Sequence, residues 1–304
     1  MNENSVVGAV IAIALIKTTP LLYAAMGGVL SENAGVVNIG LEGMMAGGAL
    51  SAVVASYYTH NLGLAVLAAA ACGALLAWVL AFLAIRMRAD QIIVGMAINV
   101  FAIGAAAFLV ALIFGQAGAT PEVPAFGSLG AAGSGGLKAL VMEPQRYLLF
   151  WLGLIILVLL QVFLYRTKAG LHLRAVGEEP RAAQTAGINV VRIRYAATIF
   201  GGALAALGGA YLSIGEVDLY SDGMVAGRGF IALAAVIFGR WTPLGAAAAC
   251  LFFGFFSSLQ IALQRASVPA QLLEMLPYLL TIVAIAGFIG KARAPAADGV
   301  PFTP

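Results

Sequence analysis

Apolar segments about twenty residues long follow one another through almost the whole chain, and this restricts the fold more than any other feature. A helix needs roughly 20 mostly apolar residues to cross the hydrocarbon of a bilayer. About nine such segments can be marked: Ser5 to Leu30, Val36 to Tyr58, Leu62 to Ile85, Ile92 to Phe114, Tyr147 to Tyr165, Tyr195 to Ile214, Gly229 to Gly239, Leu244 to Leu263 and Leu272 to Gly290. The seventh is too short for an upright span, and the Gly-rich stretch from Gly115 to Gln145 leaves room for a short re-entrant piece. The count therefore lies between about eight and ten. Composition agrees. Only 10% of the 304 residues are charged and 62% are hydrophobic, whereas a soluble domain carries about 25% charged residues. The expected fold class is all-α, a polytopic integral membrane helical bundle. Residues 1–290 form one transmembrane domain and residues 291–304 a tail.

One stretch stands apart. Six of the 16 Lys and Arg residues (Arg166, Lys168, Arg174, Arg181, Arg192 and Arg194) lie between the fifth and sixth segments. So polar a loop belongs in water, and its basic charge places it on the cytoplasmic side. Helix-forming residues between Pro180 and Gly187 predict a short helix along the membrane surface, where a soluble partner could grip it. Alternation from this loop puts Arg86, Arg88, Arg240, Lys291 and Arg293 on the same side, eleven basic residues in all. Lys138, Arg146, Arg228 and Arg265 fall opposite, with Glu122, Glu143, Glu216, Asp218 and Asp222. The N-terminus then lies outside. The Pro/Ala-rich end after Arg293 lies inside, and its composition reads as disorder. The net charge of +3 is no nucleic-acid signal, because the basic residues sit at segment ends. The opening MNENS lacks the basic n-region of a cleaved signal peptide, so the first segment is expected to be retained. Cys72 and Cys250 fall inside apolar segments and read as small buried hydrophobes, without a disulfide framework or a metal site.

Ionisable groups within a span are costly, at least ~2.5 kcal/mol near a helix centre, and so draw attention. Glu42 lies well inside the second segment. Asn38, four residues earlier, would share its helix face. Glycines around them would let another helix approach closely. Three readings stand: a polar face lining a substrate path, a polar clamp between helices that pairs Glu42 with Lys17, or a site close enough to the interface to stay wet. Lys17 precedes Pro20, which predicts a kink, and its side chain could reach an interface or a substrate. Gln91 and Asn99, eight apart, fall roughly on one face and read as helix–helix hydrogen bonds or as ligand contacts. His60 and His172 read as solvated. The candidate path residues are thus Lys17, Asn38, Glu42 and Asn99.

Catalytic signatures are missing. The sequence has no G-x-x-x-x-G-K-[ST] phosphate loop, no H-E-x-x-H pair and no Ser/His/Asp arrangement at usable spacing. The chain is expected not to be an enzyme and to bind no cofactor, so ATP-driven work would need a separate ATP-binding subunit. A weak similarity links segments two to four with segments seven to nine, and the two sets would cross the membrane in opposite senses. Inverted repeats of this kind recur in transporters, and alanine-rich spans also resemble one another by chance.

Three runs carry a resemblance that covers nearly the whole chain. SENAGVVNIGLEGMMAGGAL (Ser31 to Leu50), GLHLRAVGEEPRAAQTAGINVVRIR (Gly170 to Arg194) and LEMLPYLLTIVAIAG (Leu273 to Gly287) resemble the bacterial ABC-transporter permeases of the branched-chain amino acid, ribose and nucleoside importer family, the last run its simple-sugar and nucleoside branch. The resemblance implies a single transmembrane permease domain, in an ATP-driven importer, most directly for nucleosides. Ribose or another simple sugar, or a branched-chain amino acid, are alternatives, and an ion-coupled secondary transporter stands outside the resemblance. It further implies that the loop 166–194 couples to the ATP-binding subunit through Gly177, Glu178, Glu179, Pro180, Ala182, Ala183, Gly187 and Ile188. The expected partners are that subunit, a second permease that is either a copy of this chain or a related one, an extracytoplasmic substrate-binding protein and membrane lipid, but no nucleic acid. The expected place is the bacterial inner membrane, with a cytoplasmic C-terminus.

Overall fold

Strings of apolar residues with few turn formers give helices, and polar residues at the segment ends set where those helices begin. In a computed structural model that describes residues 3–126, 143–145, 147–263 and 293–302, ten helices account for most of the chain. They are α1 (Glu3–Glu32), α2 (Leu41–Thr59), α3 (Leu62–Ala81), α4 (Gln91–Phe114), α5 (Leu148–Arg166), α6 (Lys168–Glu178), α7 (Pro180–Thr185), α8 (Val190–Ala210), α9 (Arg228–Phe238) and α10 (Pro243–Leu263). Wider π turns extend α3 over Phe82–Arg86 and α8 over Tyr211–Val217. Side-chain oxygens of Asn61, Asp90, Thr167 and Asn189 accept from the first free N–H groups of α3, α4, α6 and α8, the usual means of starting a helix. Among the described residues there is no strand beyond an isolated bridge between Ala119 and Ser221.

Six of these helices are long and apolar enough to cross a membrane, and α9 is a shorter apolar helix. The chain is a multi-pass membrane protein, and the count of nine is approximate. Burial sorts the spans. In α1 and α8, 72% and 78% of the apolar window is enclosed by protein, against 28–33% in α3, α4, α5 and α10. The first two form the axis, and the others leave residues such as Val100, Phe101, Phe108, Val158 and Leu159 exposed on the outer surface of the bundle. Small residues allow this axis. Gly201 and Gly202 face Gly27 on α1 and Gly73 on α3, while Gly208 and Gly209 face Pro20 on α1 and Met45 on α2. One helix thus lies backbone to backbone against three neighbours, as small-residue interfaces in lipid permit.

The two ends of the bundle are distinct. Asn33 Nδ2 donates to the Trp241 carbonyl at 2.8 Å, and Ala297 N donates to Gly177 O at 2.8 Å, which gathers the α1 end, the basic loop, the α9–α10 turn and the tail. At the other end residues 118–126 run antiparallel to 214–222, with Thr120 N donating to Tyr220 O and Val123 N to Asp218 O, both at 2.9 Å. Ser56 Oγ donates to Pro124 O at the same end. Of the charged residues sorted by alternation, Glu122, Glu216, Asp218 and Asp222 lie at this end and Arg240 and Arg293 at the other, while Lys138, Arg146, Arg265 and Lys291 lie outside the described residues.

Three expectations are corrected. The second segment is not helical from Val36: residues 33–40 form turns and irregular backbone before α2 begins at Leu41. Asn38 and Glu42 therefore do not share a helix face. Gly35 turns the chain at φ +81°, and the backbone freed there is met by side chains of α4. Second, the basic loop does not lie wholly in water. It carries two helices, α6 and α7, and its last residues belong to α8, where Arg194 is 1% exposed. Third, the tail from Arg293 to Phe302 is packed on the body, with Ala297 and Phe302 buried. The last predicted span, 272–290, and most of the Gly-rich stretch lie outside the described residues, so the second half of the suggested repeat is seen only as far as α10.

Candidate functional site

Two groups of predicted residues fall in different parts of the molecule. The first sits where irregular backbone meets α2. Gln91 Oε1 accepts from Val37 N at 2.7 Å. Asn99 accepts from Gly43 N at 2.8 Å and donates from Nδ2 to Ile39 O at 2.9 Å. A non-helical stretch at this depth is tolerated because protein, not lipid, satisfies it. Asn38 is fully buried, with Nδ2 3.7 Å from Met44 Sδ and Oδ1 unpartnered. The Glu42 carboxylate, 6% exposed, accepts from Gly227 N at 2.8 Å and Gly229 N at 2.7 Å. It thereby caps the 11-residue helix α9, whose first N–H groups have no partner within their own helix. Asn38, Glu42 and Asn99 thus converge on one junction. Lys17 does not join them: its ammonium pairs with Glu216, on the π turn after α8. The clamp between Lys17 and Glu42 considered from the sequence is replaced by two separate contacts.

Asn99 illustrates the energetics. Asn99→Leu would leave Gly43 N and Ile39 O unpaired in the interior, each worth about 1–3 kcal/mol. A loss of about 2–4 kcal/mol is expected, read as a lower unfolding temperature in detergent, with little change for Val100→Leu at the exposed neighbouring position.

The second group forms a surface. Residues Lys168–Glu178 and Pro180–Thr185 make a bent pair of helices, α6 and α7, with Pro180 at the first position of the second, where a proline costs no hydrogen bond. The eight residues expected from the resemblance divide by burial. Gly177 and Ala183 face inward with Val176 and Val190. Glu178, Glu179, Ala182 and Gly187 are exposed, and Pro180 and Ile188 are half-buried. Gly187, at φ +82°, ends α7 and turns the chain toward α8. An added Cβ on Gly177 would strike the Asn33 carbonyl, so α6 is pressed directly against the end of α1. The outcome is an exposed, mixed-charge ridge on a buried apolar base of Val176, Ala183, Val190 and Phe302. Sequence reasoning found this ridge but missed Arg194, because its place in a charged run concealed its burial.

Residues 10–285 match the family described as branched-chain amino acid transport system / permease component. The chain is 41% identical to the guanosine ABC transporter permease protein NupQ of Bacillus subtilis, over 99% of this chain and 98% of that one. It is 37% identical to the nucleoside ABC transporter permease protein NupC of Lactococcus lactis, again over 99% and 98%. A solved inward-facing ABC transporter of the metal-chelate type superposes with a TM-score of 0.52 at 15% identity, covering 93% of this chain and 96% of that one, a likeness of fold. With the helical bundle and its surface ridge, these matches mean that the chain belongs to the branched-chain amino acid transport system permease family and is the permease subunit of an ABC importer.

Proposed function

We propose that the chain carries nucleosides inward across the bacterial inner membrane as one of two permeases, driven by a separate ATP-binding subunit seated on the ridge of α6 and α7. The observation that carries the substrate is the match along the full length of two nucleoside permeases, at 41% and 37% identity. The chain itself binds no ATP and no cofactor. A related second permease completes the path, and an extracytoplasmic binding protein delivers the substrate to the end formed by residues 118–126 and 214–222. The ridge, the tail and the C-terminus then face the cytoplasm. Within the membrane, the path borders the junction of Asn38, Glu42 and Asn99, with Lys17 and Glu216 toward the outer end. What supports this placement is the cost of buried polar groups in an otherwise apolar bundle.

The ridge supports coupling because it offers exposed Glu178, Glu179 and Ala182 on helices packed against the end of α1. The test uses the reconstituted complex of this chain, the companion permease, the ATP-binding subunit and the binding protein. ATP-dependent uptake of labelled guanosine is expected, with competition by other nucleosides but not by ribose or leucine. Competition by ribose alone would move the assignment to sugars. Uptake by this chain alone under an ion gradient would refute the ATP-driven reading. The double variant Glu178→Lys, Glu179→Lys is expected to cut uptake at least tenfold while ATP hydrolysis continues. Unchanged uptake per ATP would remove the ridge from the coupling step.

A further inference from the structure

The tail from Arg293 to Phe302 makes a set of contacts that a disordered end would not make. Two turns within it are closed by Asp298 N donating to Pro295 O at 3.0 Å and Val300 N donating to Ala297 O at 3.3 Å. Ala297 N donates to Gly177 O at 2.8 Å, and Ala296 N to Glu178 Oε2 at 3.3 Å. From the other side, the buried Arg194 guanidinium donates to Val300 O at 3.0 Å and to Ala297 O at 3.4 Å, and lies 5.9 Å from the centre of the Phe302 ring. Phe302 packs with Val176, Ala183 and Val190, that is, with the inner faces of α6, α7 and the start of α8.

The order of the layers matters. Gly177 is pressed against the Asn33 backbone on one side, and its carbonyl accepts from the tail on the other. The same tail backbone at Ala297 lies against Gly35, at the turn that leads from α1 to α2. A six-residue helix such as α7 has little stability of its own, because nucleation is costly and propagation short. Something else must hold it, and the tail touches it, both neighbouring helices and the α1–α2 turn. Arg194 suits this work, since a planar fork can satisfy two carbonyls and stack on a ring at once, which a lysine cannot do.

We propose that the tail segment 294–302, locked by Arg194, is a strut of the coupling apparatus: it fixes α6 and α7 against the α1–α2 turn, so that movement at the ridge reaches the polar junction in the membrane. Arg194 is accordingly a positioning residue, without contact to substrate or nucleotide. The inference rests on the coupling role given to α6 and α7 above.

The test compares the full chain with a version ending at Arg293 and with Arg194→Lys, each in the reconstituted complex. Truncation leaves Arg194 open to water, not buried without partners, so the bundle is expected to survive with its monodispersity and yield. Two readouts are taken. Amide hydrogen exchange over residues 177–190 is expected to quicken at least tenfold on truncation and by a smaller factor in Arg194→Lys. Nucleoside imported per ATP hydrolysed is expected to fall at least tenfold on truncation, while the ATP-binding subunit still co-purifies. Unchanged exchange would overturn the strut whatever the transport result. Quickened exchange with an unchanged transport ratio would overturn its role in coupling. Failure of the full chain to import nucleosides at all would count against the proposed function, and the exchange measurement would still judge the strut.

Discussion

Gly209→Val is expected to prevent the bundle from assembling, so that monodisperse protein recovered from gently solubilised membranes falls at least tenfold. Gly209 lies on α8, the axial helix, where it meets α2 backbone to backbone. A Cβ added there would fall on the Met45 carbonyl, 2.7 Å from its carbon and 2.9 Å from Met45 Cα. Overpacking against movable side chains costs about 1–3 kcal/mol. Here the obstacle is helical backbone, which cannot rotate away, so α2 must separate from α8. That separation would also disturb the neighbouring approach of Gly48 to Ala206 and the Ser213 Oγ hydrogen bond to Ala49 O at 2.9 Å. In lipid no hydrophobic force restores the contact, because close packing is itself the main attraction between helices. Gly104→Val is the control. It lies exposed on α4 with nothing within 4 Å of the added atom, and its recovery is expected to match that of the native chain. Equal recovery of both variants would show that the axis tolerates a wider spacing than the backbone contacts allow.

The same residues show how far the sequence could be read. Six of the marked segments are legible as spans because length and hydropathy decide membrane crossing with little help from tertiary context. Their inner and outer ranking was not read from hydropathy, although α8 carries the signal: GGALAALGG places two glycine pairs seven residues apart, on one helix face. The break at residues 33–40 was concealed because apolar residues serve equally in a helix or in buried irregular backbone. What selects the latter is Gln91 and Asn99, which supply hydrogen bonds from another helix. The short helix α7 was legible from Pro180 and Gly187, which mark its two ends. The docked tail was not, since Pro and Ala carry no packing signal of their own. Its order comes from Arg194, more than a hundred residues away in sequence. Lys17 reads from the sequence as reaching an interface, a substrate or Glu42, and its pairing with Glu216 is not among those readings, because only the fold brings two residues 199 positions apart together.

Glu42→Ala is expected to lower stability by about 3–5 kcal/mol and to reduce uptake at least tenfold. The carboxylate takes two hydrogen bonds, from Gly227 N and Gly229 N, and hydrogen bonds to a charged group contribute about 1.5–3 kcal/mol each. It also faces the positive end of the α9 dipole, a favourable place for an anion. Alanine would leave both N–H groups without an acceptor in a site closed to water. The space itself is tight, because the Gly229 position lies 2.5 Å from Glu42 N for any added Cβ, so α9 cannot slide inward to compensate. Glu42→Gln separates the roles of the residue. Its amide oxygen can replace one acceptor, but its NH2 would face the second N–H, so about half of the stability loss is expected. If Glu42 acts by holding α9 in place, unfolding temperature and uptake will fall in the same order across native, Gln and Ala chains, and the apparent affinity for the proposed nucleoside substrate will hold steady in the Gln variant. If Glu42 also touches the substrate, the Gln variant will lose affinity out of proportion to its loss of stability. That second pattern would place Glu42 in the path as a direct ligand as well as in the scaffold.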